Sequence, residues 1–161
     1  MKIVITGSNG FIGSNLLAKL KNMNDEIDYL ALNRKFGNIT DKKTFDKLPE
    51  SKTVIHLANK IYIPHSWSYT EDFIKTNILG TLNVLEYCKK YNSHLIFLSS
   101  YLYGNQVYFP TNEKANINID NPYVLTKKTS EDLCLLFSQK YKMKITILRP
   151  FNVYGPKQKN N

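Results

Sequence analysis

The sequence predicts an α/β protein in which helices cover both faces of a parallel β-sheet, and three observations support this fold class. Short apolar runs typical of strands alternate along the chain with longer helical patterns. Most of the strand-like runs are almost continuously apolar, as in parallel strands that are buried on both faces. A glycine-rich turn also connects the first apolar run, residues 3–5, directly to a helical pattern.

Each element can be justified from its residues. The first helix carries an apolar stripe that begins at Phe11 and continues to Leu20. Pro122 suits the first position of the last helix, where its missing N–H would have had no partner. The strands are predicted over residues 3–5, 27–33, 53–58, 94–99 and 144–148. The helices are predicted over residues 11–23, 69–91 and 122–141, with a short helix after the cap candidates Thr40 and Asp41.

Composition limits the size and the partners of this protein. The chain has 161 residues, of which 42% are apolar, enough for one domain that buries roughly 70% of its unfolded surface. Its formal net charge is +9, but Lys and Arg are scattered and form no basic block. This distribution argues against a nucleic-acid-binding arm. It is typical of a solvated lysine-rich surface, or alternatively of a positive potential that attracts doubly anionic small molecules.

Neither the cysteines nor the apolar runs indicate a metal site, secretion or a membrane. Cys88 and Cys134 lie in predicted helices, and neither has metal-ligand spacing to His56, His65 or His94. Both are interpreted as buried thiols, and no metal is expected. The chain begins at once with a strand rather than a signal peptide, and no apolar run approaches the length of a membrane span. A cytoplasmic protein without a membrane partner is therefore expected.

The turn after the first strand contains glycines at positions 7, 10 and 13. Such glycines let the backbone turn tightly, approach a ligand closely and pack a helix against the strand, while free N–H groups at the helix start can bind a pyrophosphate. A glycine-rich turn without a ligand is the alternative. The strand before the turn and the helix after it favour dinucleotide binding. The sequence thus predicts a Rossmann-type, doubly wound fold, with residues 1–156 as the dinucleotide-binding domain and residues 157–161 as a polar tail.

Cofactor choice is expected to depend on the end of the second strand, where an acidic residue commonly binds the 2′-hydroxyl of the NAD ribose. This chain has Asn33 and Arg34 there. A guanidinium can pair with a 2′-phosphate in a forked geometry, whereas a carboxylate would repel it. The sequence therefore favours NADP over NAD, while Arg34 as an ordinary surface residue is the alternative. Asn33 can still bond a ribose hydroxyl.

A second set of residues can move a proton. Tyr123 and Lys127 are four residues apart in a predicted helix and therefore share one face. An ammonium about 4 Å from a phenolate contributes ~4 kcal/mol at an effective dielectric constant of about 20, or about three pKa units, which brings a phenol towards neutrality. Ser99 ends a strand at the carboxyl edge, where ligands of open α/β sheets bind. This set predicts acid–base catalysis, although the same tyrosine–lysine spacing also occurs by chance in lysine-rich helices.

Six ordered motifs extend this pattern along nearly the whole chain. They are residues 6–13 (TGSNGFIG), 54–58 (VIHLA), 77–81 (NILGT), 98–104 (LSSYLYG), 121–127 (NPYVLTK) and 148–156 (LRPFNVYGP). Together they resemble the NAD-dependent epimerase/dehydratase group of the extended short-chain dehydrogenase/reductase family. The resemblance implies NAD or NADP as cofactor and a nucleotide sugar as substrate.

The resemblance also implies roles for individual residues. Ser99 rather than Ser100 corresponds to the catalytic serine. Tyr123 would take a proton from a sugar hydroxyl, and Lys127 would also hold the nicotinamide ribose. Ser100 and Asn152 are implied as substrate-binding residues, with Asn152 at the nucleotide-sugar phosphates. The residues implied at the cofactor are Gly7, Gly10, Phe11, Ile12, Gly13, Asn33, Arg34, Asn38, Ile39, Leu57, Ala58, Asn59, Asn77, Tyr123, Lys127, Pro150 and Phe151.

Departures from the family pattern narrow the expected reaction. Sugar 4,6-dehydratases of this group carry an Asp-Glu pair directly after the catalytic residue, whereas this chain has Ser100 and Tyr101 there. This difference favours a 4-epimerase or a 4-keto reductase. Asn38 stands where the family usually has Asp at the adenine contact, and its amide oxygen can still accept a hydrogen bond. The chain also stops where the family's substrate domain begins, so cofactor binding with little turnover is expected of this part alone.

A competing interpretation is a non-catalytic dinucleotide-binding module. The joint presence of the serine, the tyrosine and the lysine argues against it, because cofactor binding alone does not require the tyrosine. The two long predicted helices also permit a homodimer.

Other conspicuous residues have less specific interpretations. His56 lies inside an apolar strand and is interpreted as a hydrogen-bonded core histidine. Residues 64–67 (PHSW) belong to an irregular aromatic loop on the ligand side, where a substrate contact and simple loop packing are both consistent with the sequence. Tyr101, Tyr103 and Tyr108 either stack on a base or form an aromatic loop over the sheet edge, which is the favoured interpretation.

Overall fold

Five short strands are found where the sequence predicts them in the computed structural model, which describes residues 2–23, 27–105 and 109–158. The strands are β1 (Ile3–Thr6), β2 (Tyr29–Leu32), β3 (Thr53–His56), β4 (His94–Leu98) and β5 (Ile145–Leu148). They form one sheet in the order β2-β1-β3-β4-β5. All neighbouring strands are parallel. The predicted α/β class with a doubly wound parallel sheet is confirmed.

Helices connect these strands. They are α1 (Phe11–Asn22), α2 (Lys42–Asp46), α3 (Ile63–Ser68), α4 (Thr70–Phe73), α5 (Gly80–Tyr91) and α6 (Pro122–Tyr141). α6 has the predicted bounds because Asn121 caps it, with its side chain accepting a hydrogen bond from the N–H of Val124. Asp41 caps α2 in the same way.

The region between β3 and β4 differs from the prediction in two places. The loop that was expected to be irregular contains the short helix α3, with Pro64 in its first turn. The single long helix expected over residues 69–91 is divided by a π-helical segment, Ile74–Leu79, between α4 and α5. Within this segment, the Asn77 carbonyl accepts hydrogen bonds from the hydroxyls of Thr81 and Ser130. Side-chain hydroxyls therefore donate hydrogen bonds to a backbone carbonyl oxygen at the position where the helix is irregular.

The two faces of the sheet are covered unequally. The chain runs from β1 to β2 in one direction and then from β2 across to β5 in the other, so right-handed crossovers place α1 on one face and α2, α5 and α6 on the other. The main core lies on the second face, where Val4, Val54 and Leu95 are almost fully buried. On the face of α1, Ile5 is completely buried, whereas Leu148 on the edge strand β5 is 45% exposed.

Both cysteines are buried free thiols, as expected. Burial is the main cause that raises the pKa of the Cys134 thiol to about 12, and it also raises that of Cys88. Within the described ranges, no group of three His, Cys, Asp or Glu side chains is arranged to hold a metal ion. No helix in these ranges has the length and apolar character needed to cross a membrane.

Candidate active site

An open cleft of about 830 Å3 lies at the carboxyl edge of the sheet, between the segments that follow β1, β2 and β3. The strand order reverses direction at this point, which is where open α/β sheets bind their ligands. Many of the residues implied at the cofactor form its wall. They are Gly7, Gly10, Asn33, Arg34, Asn38, Ile39, Leu57, Ala58 and Asn59.

Gly7 shapes the turn that is expected to bind the pyrophosphate. It has a φ of +69°, and a Cβ atom there would lie 2.6 Å from the backbone nitrogen of Ala58. At Gly13, a Cβ atom would overlap the carbonyl oxygen of Gly7, so only glycine lets α1 approach the turn this closely. Helix α1 starts at Phe11 with no acidic side chain in its first turn. The backbone N–H groups of Phe11, Ile12 and Gly13 have no intrahelical partner and can bind an anion.

The segment after β2 forms the end of the cleft expected to hold the adenosine. Arg34 is exposed there. Asn33 Oδ1 accepts a hydrogen bond from the N–H of Lys35 at 2.9 Å and so fixes the turn. Asn38 Oδ1 likewise accepts from the N–H of Thr40 at 3.1 Å, which leaves one further lone pair on that oxygen. Both asparagines therefore support the local backbone in addition to the ligand contacts expected of them.

His56 is buried, and its ring connects β3 with β1, through Thr6, and with α5, through Thr81. Thr81 donates its only hydroxyl hydrogen to the carbonyl oxygen of Asn77, 2.5 Å away. Nε2 of His56, which is 3.1 Å from Thr81 Oγ1, must then be the donor of that pair, and Nδ1 accepts from Thr6 Oγ1 at 2.7 Å. Thr6 Oγ1 in turn accepts from the N–H of Ala58 at 3.2 Å. Burial is the main cause that lowers the pKa of His56 to about 3, so a neutral ring holds the cleft wall in place.

Lys127 lies where the cleft meets the end of β4, and its side chain is almost completely buried. Nζ donates to Asn59 Oδ1 and to the carbonyl oxygen of Leu98, both at 2.7 Å. It also lies 4.4 Å from the centre of the Phe97 ring. Burial lowers the pKa of Lys127 to about 7. Because Asn59 lines the cleft, Lys127 connects α6 directly to the cleft wall.

Three further residues of interest are Tyr123, Ser99 and Ser100. We call these three residues and Lys127 the catalytic corner. Ser99 Oγ is buried and has no hydrogen-bond partner within the described part of the chain. The Tyr123 side chain is 8% exposed and packs edge-to-face on Phe73, with ring centres 6.4 Å apart. The Ser100 side chain acts to lower the pKa of the phenol. A buried hydroxyl without a partner costs free energy, so Ser99 is a group that a ligand can satisfy.

The electrostatic expectation for Tyr123 was wrong in this structure. Lys127 was expected to lower the pKa of the phenol, but burial raises that pKa, and only Ser100 opposes the increase. The reason is that burial lowers the pKa of Lys127 to about 7, so its amine is mostly neutral in the pH range where the phenol titrates. The amine is also bonded to Asn59 and to the Leu98 carbonyl. The i,i+4 spacing placed both residues on one helix face, but it did not determine where the lysine amine is bound.

Asn77 was implied at the cofactor, but its side chain bonds to the protein instead. It is 1% exposed. Its Oδ1 accepts from the N–H of Lys60 at 2.8 Å, and its Nδ2 donates to the Lys60 carbonyl oxygen at 3.1 Å and to Thr126 Oγ1 at 2.9 Å. Asn77 therefore holds the cleft-wall residue Lys60 against the helix that carries Tyr123 and Lys127.

The segment after β5 lies outside the cleft. Phe151, which was implied at the nicotinamide, is 57% exposed and packs against Tyr101 with ring centres 4.9 Å apart. It lines a second cavity of about 370 Å3. Pro150 is partly buried and Asn152 is exposed, and neither lines the cleft. Tyr108, the third member of the expected aromatic cluster, lies outside the described residues.

Sequence reasoning missed several residues of this region. Lys60, Asp72 and Thr76 also line the cleft. Lys60 directly follows the implied residue Asn59, and this position after a strand was a usable signal. Asp72 belongs to α4 and Thr76 to the π-helical segment, so only the folded chain brings them to the cleft.

A buried ion pair beside the second cavity was also missed. Arg149 donates from Nε and Nη2 to the two carboxylate oxygens of Glu131, at 2.9 and 2.6 Å. Its Nη1 donates to the Tyr103 hydroxyl at 2.9 Å. Such a two-point contact fixes the segment after β5 to helix α6.

Curated relatives match this chain along almost its full length. It is 34% identical to dTDP-D-glucose 4,6-dehydratase from Dictyostelium discoideum, covering 98% of this chain and 45% of that protein. It is 35% identical to the putative UDP-glucose 4-epimerase from Methanocaldococcus jannaschii, covering 97% of this chain and 57% of that protein. The chain therefore spans about half the length of the curated relatives it matches.

Solved structures agree with the fold. UDP-glucose 4-epimerase from Thermotoga maritima with UDP-glucose superposes with a TM-score of 0.89 at 32% identity, covering 99% of this chain and 58% of that one. RMD from Pseudomonas aeruginosa complexed with NADPH also gives a TM-score of 0.89, at 29% identity, covering 99% of this chain and 57% of that one. These likenesses confirm the predicted Rossmann-type fold.

A family model gives the assignment. The model described as the NAD dependent epimerase/dehydratase family matches residues 3–161. Together with the glycine turn and the catalytic corner, this match shows that the chain belongs to the NAD dependent epimerase/dehydratase family.

Proposed function

We propose that this chain is the cofactor-binding and catalytic part of an NAD(P)-dependent nucleotide-sugar 4-epimerase or 4-keto reductase. The observation that carries the proposal is the catalytic corner, which contains a buried phenol, a buried amine and a buried hydroxyl with no hydrogen-bond partner among the described residues. Its Lys127 is bonded to Asn59 in the cleft wall. Relatives whose names include a UDP-glucose 4-epimerase and a GDP-6-deoxy-D-mannose reductase support this class of substrate.

The residues present fit a dinucleotide. The turn at Gly7 is a cradle that any Cβ atom would fill, and the N–H groups at the start of α1 are available to a pyrophosphate. The adjoining cleft of about 830 Å3 is open enough to admit the rest of such a ligand. When bound, the dinucleotide supplies a nicotinamide that exchanges hydride with a sugar carbon.

Tyr123 is the acid–base group of the proposed reaction. Its phenolate takes the proton from a sugar hydroxyl during oxidation, and the phenol formed in that step returns the proton during reduction. Ser99 Oγ, which has no partner within the described ranges, is available to bond to the reacting oxygen and orient it. Ser100 acts to lower the pKa of the phenol and so favours the form that can accept a proton. Lys127 supplies a buried amine whose pKa of about 7 makes its charge sensitive to conditions near neutrality.

The residues after Ser99 support an epimerase or a reductase over a dehydratase. Ser100 and Tyr101 occupy the positions where dehydratases of this group carry Asp and Glu. The Tyr101 hydroxyl is bonded to the Gly104 carbonyl oxygen, and its ring packs on Phe151. No carboxylic acid is therefore available at these two positions for the additional proton transfers of a water elimination.

NADP is the preferred cofactor in this proposal. Arg34 lies at the end of β2 and lines the cleft, where a guanidinium can bind a 2′-phosphate. Solved relatives include one complexed with NADPH, at 29% identity, and one complexed with NAD, at 28%, so this part of the proposal rests on Arg34.

A homodimer through the long helices is also proposed. Leu135 and Leu136 on α6 are 50% and 58% exposed, and Leu79 next to α5 is 39% exposed. Light scattering should give twice the mass of the chain, and Leu136→Glu should give the monomer mass. A monomeric wild-type chain would exclude this assembly.

Titration of the chain with NADPH and NADH, followed by nicotinamide fluorescence, tests the cofactor part of the proposal. We expect saturable binding of both, tighter for NADPH. Binding of neither coenzyme would overturn it.

The substrate part requires a longer protein that contains this chain, assayed with a panel of nucleotide sugars. We expect epimerisation or reduction at C4. Coenzyme binding without turnover of any nucleotide sugar would instead support the non-catalytic module.

A further inference from the structure

Three charged side chains line the cleft within the described ranges: Arg34, Lys60 and Asp72. Asp72 Oδ2 lies 2.6 Å from Lys60 Nζ, and the two side chains are 55% and 30% exposed. The hydrogen bond and the charge of Lys60, with smaller effects from Lys75 and Arg34, lower the pKa of Asp72, so this carboxylate is ionised at neutral pH. Among the described residues, the cleft wall thus combines one negative charge with two positive charges.

Asp72 lines the same cleft as Arg34, the group expected to bind the coenzyme's 2′-phosphate. Arg34 follows β2, whereas Asp72 belongs to α4 after β3, so the two residues come from different segments of the cleft wall. Both side chains line the same cleft, and the charge of Arg34 is the smallest of the effects that lower the pKa of Asp72. A phosphate bound at Arg34 would therefore lie within the field of this carboxylate as well.

Lys60 keeps Asp72 at this place. The backbone N–H and C=O of Lys60 are both bonded to the Asn77 side chain, at 2.8 and 3.1 Å. Its ammonium is bonded to Asp72. The fixed backbone and the ion pair therefore hold the carboxylate at the rim of the cleft.

We propose that Asp72 is a specificity-determining residue of the cofactor cleft, whose carboxylate weakens binding of a dinucleotide with a 2′-phosphate more than binding of one without it. This inference rests on the proposed function, in which the cleft binds NAD or NADP. The additional phosphate near Arg34 carries up to two negative charges, and each is repelled by Asp72. Without the 2′-phosphate, the ribose carries no charge at that point.

Glu71 provides a matched control. It precedes Asp72 in α4, and its carboxylate pairs with Lys75 instead of Lys60. Its side chain is 79% exposed, and it does not line the cleft. Glu71→Gln and Asp72→Asn therefore change the net charge of the chain equally, but only the second changes the charge of the cleft wall.

The experiment measures the Kd of NADPH and of NADH for the wild-type chain, Asp72→Asn and Glu71→Gln at low and at high salt. We expect Asp72→Asn to lower the Kd of NADPH about fivefold and the Kd of NADH less than about twofold. This difference should shrink as salt screens the charges. Glu71→Gln should leave the ratio of the two Kd values within about twofold of wild type. Unchanged thermal unfolding of both variants would show that folding is not the cause.

A reverse substitution gives a second readout. Lys60→Met leaves Asp72 without its cation and should weaken the binding of NADPH more than the binding of NADH. Lys75→Met should leave the ratio of the two Kd values unchanged. The inference is overturned if the ratio of the NADPH Kd to the NADH Kd in Asp72→Asn equals that of wild type or of Glu71→Gln. That result would leave the proposed function standing. A wild-type chain that binds neither coenzyme overturns both.

Discussion

The cofactor cleft and the catalytic corner lie side by side at the same sheet edge, but they are built differently. The cleft is open, and its phosphate turn depends on backbone geometry at Gly7 and Gly13. The catalytic corner is mostly buried and depends on side chains from α6 and from the segment after β4, with Lys127 bonded to the Leu98 carbonyl oxygen and to Asn59. Asn59 is the contact between them, because it lines the cleft and also accepts a hydrogen bond from Lys127.

This difference indicates which properties each region controls. A ligand-binding turn made of backbone tolerates few substitutions but needs no particular charge. A buried corner made of polar side chains sets pKa values, since burial shifts both Tyr123 and Lys127 towards their neutral and away from their charged forms. Binding and proton transfer should therefore respond to different mutations.

The largest expected effect separates the two regions. Tyr123→Phe removes the proton carrier and should lower turnover of a nucleotide sugar, in a longer protein that contains this chain, by about 10³-fold. The Kd for NADPH should change by less than about twofold, because the phenol does not line the cleft. Steady-state kinetics and nicotinamide fluorescence measure the two quantities. Unchanged turnover would remove Tyr123 from the catalytic assignment.

The converse substitution is made in the cleft. Gly7→Ala should destabilise the chain by about 2–4 kcal/mol, because the residue has a positive φ and its Cβ would overlap Ala58. It should also abolish coenzyme binding. Gly10→Ala is the control, since Gly10 has a φ of −73° and its Cβ would lie 3.2 Å from the Gly7 carbonyl oxygen. Urea unfolding should show that the control loses less than about 1.5 kcal/mol of unfolding free energy. Equal losses of unfolding free energy in the two variants would contradict this account.

Burial of Lys127 predicts how stability depends on pH. Its pKa is about 7 in the folded chain, against an ordinary value of 10.5, so between these values the unfolded chain holds a proton that the folded chain has released. Stability should therefore rise with pH by up to about 1.4 kcal/mol per pH unit between pH 7 and 10, relative to Lys127→Met. Below pH 7 the difference between the two proteins should level off. Denaturant unfolding across this range measures it, and a parallel pH dependence in both proteins would exclude a depressed lysine pKa.

The smallest effect concerns the adenosine end of the cleft. Arg34→Leu should weaken NADPH binding about tenfold and NADH binding about twofold, because only NADPH offers a 2′-phosphate to the guanidinium. Lys35→Leu removes the same charge one residue further along, outside the cleft wall, and serves as the control. If the two variants change the NADPH affinity equally, general surface charge rather than Arg34 sets the preference.

The strands and the main helices could be predicted because local patterns specify them. Helix α6 begins and ends as expected, since Asn121 and Pro122 mark its start and no interior residue breaks it. Three of the five strands, β2, β3 and β4, were predicted too long at the edge where the site lies, whereas β1 was predicted one residue too short there. β3, for instance, was extended to Ala58, which continues the apolar run, but the N–H of Ala58 bonds to Thr6 Oγ1. Apolar character alone does not distinguish a strand residue from one that turns into a site.

The candidate site was predicted in part. Gly7, Gly10 and the implied residues after β2 and β3 do line the cleft, because parallel strands bring their carboxyl ends to one edge. Asn77 and Phe151 follow the same family pattern, yet their side chains are directed elsewhere. The electrostatics of Tyr123 could not be predicted, since they depend on what else binds the lysine amine.

The sequence by itself determined the parallel sheet, the glycine turn and the placement of Ser99 and of the Tyr123–Lys127 pair, because each follows from residues that are close together in the chain. Only the tertiary structure decided that Lys127 bonds to Asn59 and Leu98, that His56 is neutral, and that Asp72 faces the same cleft as Arg34. The physical reason is that burial and charge depend on neighbours from distant segments, and those neighbours are set by packing rather than by spacing.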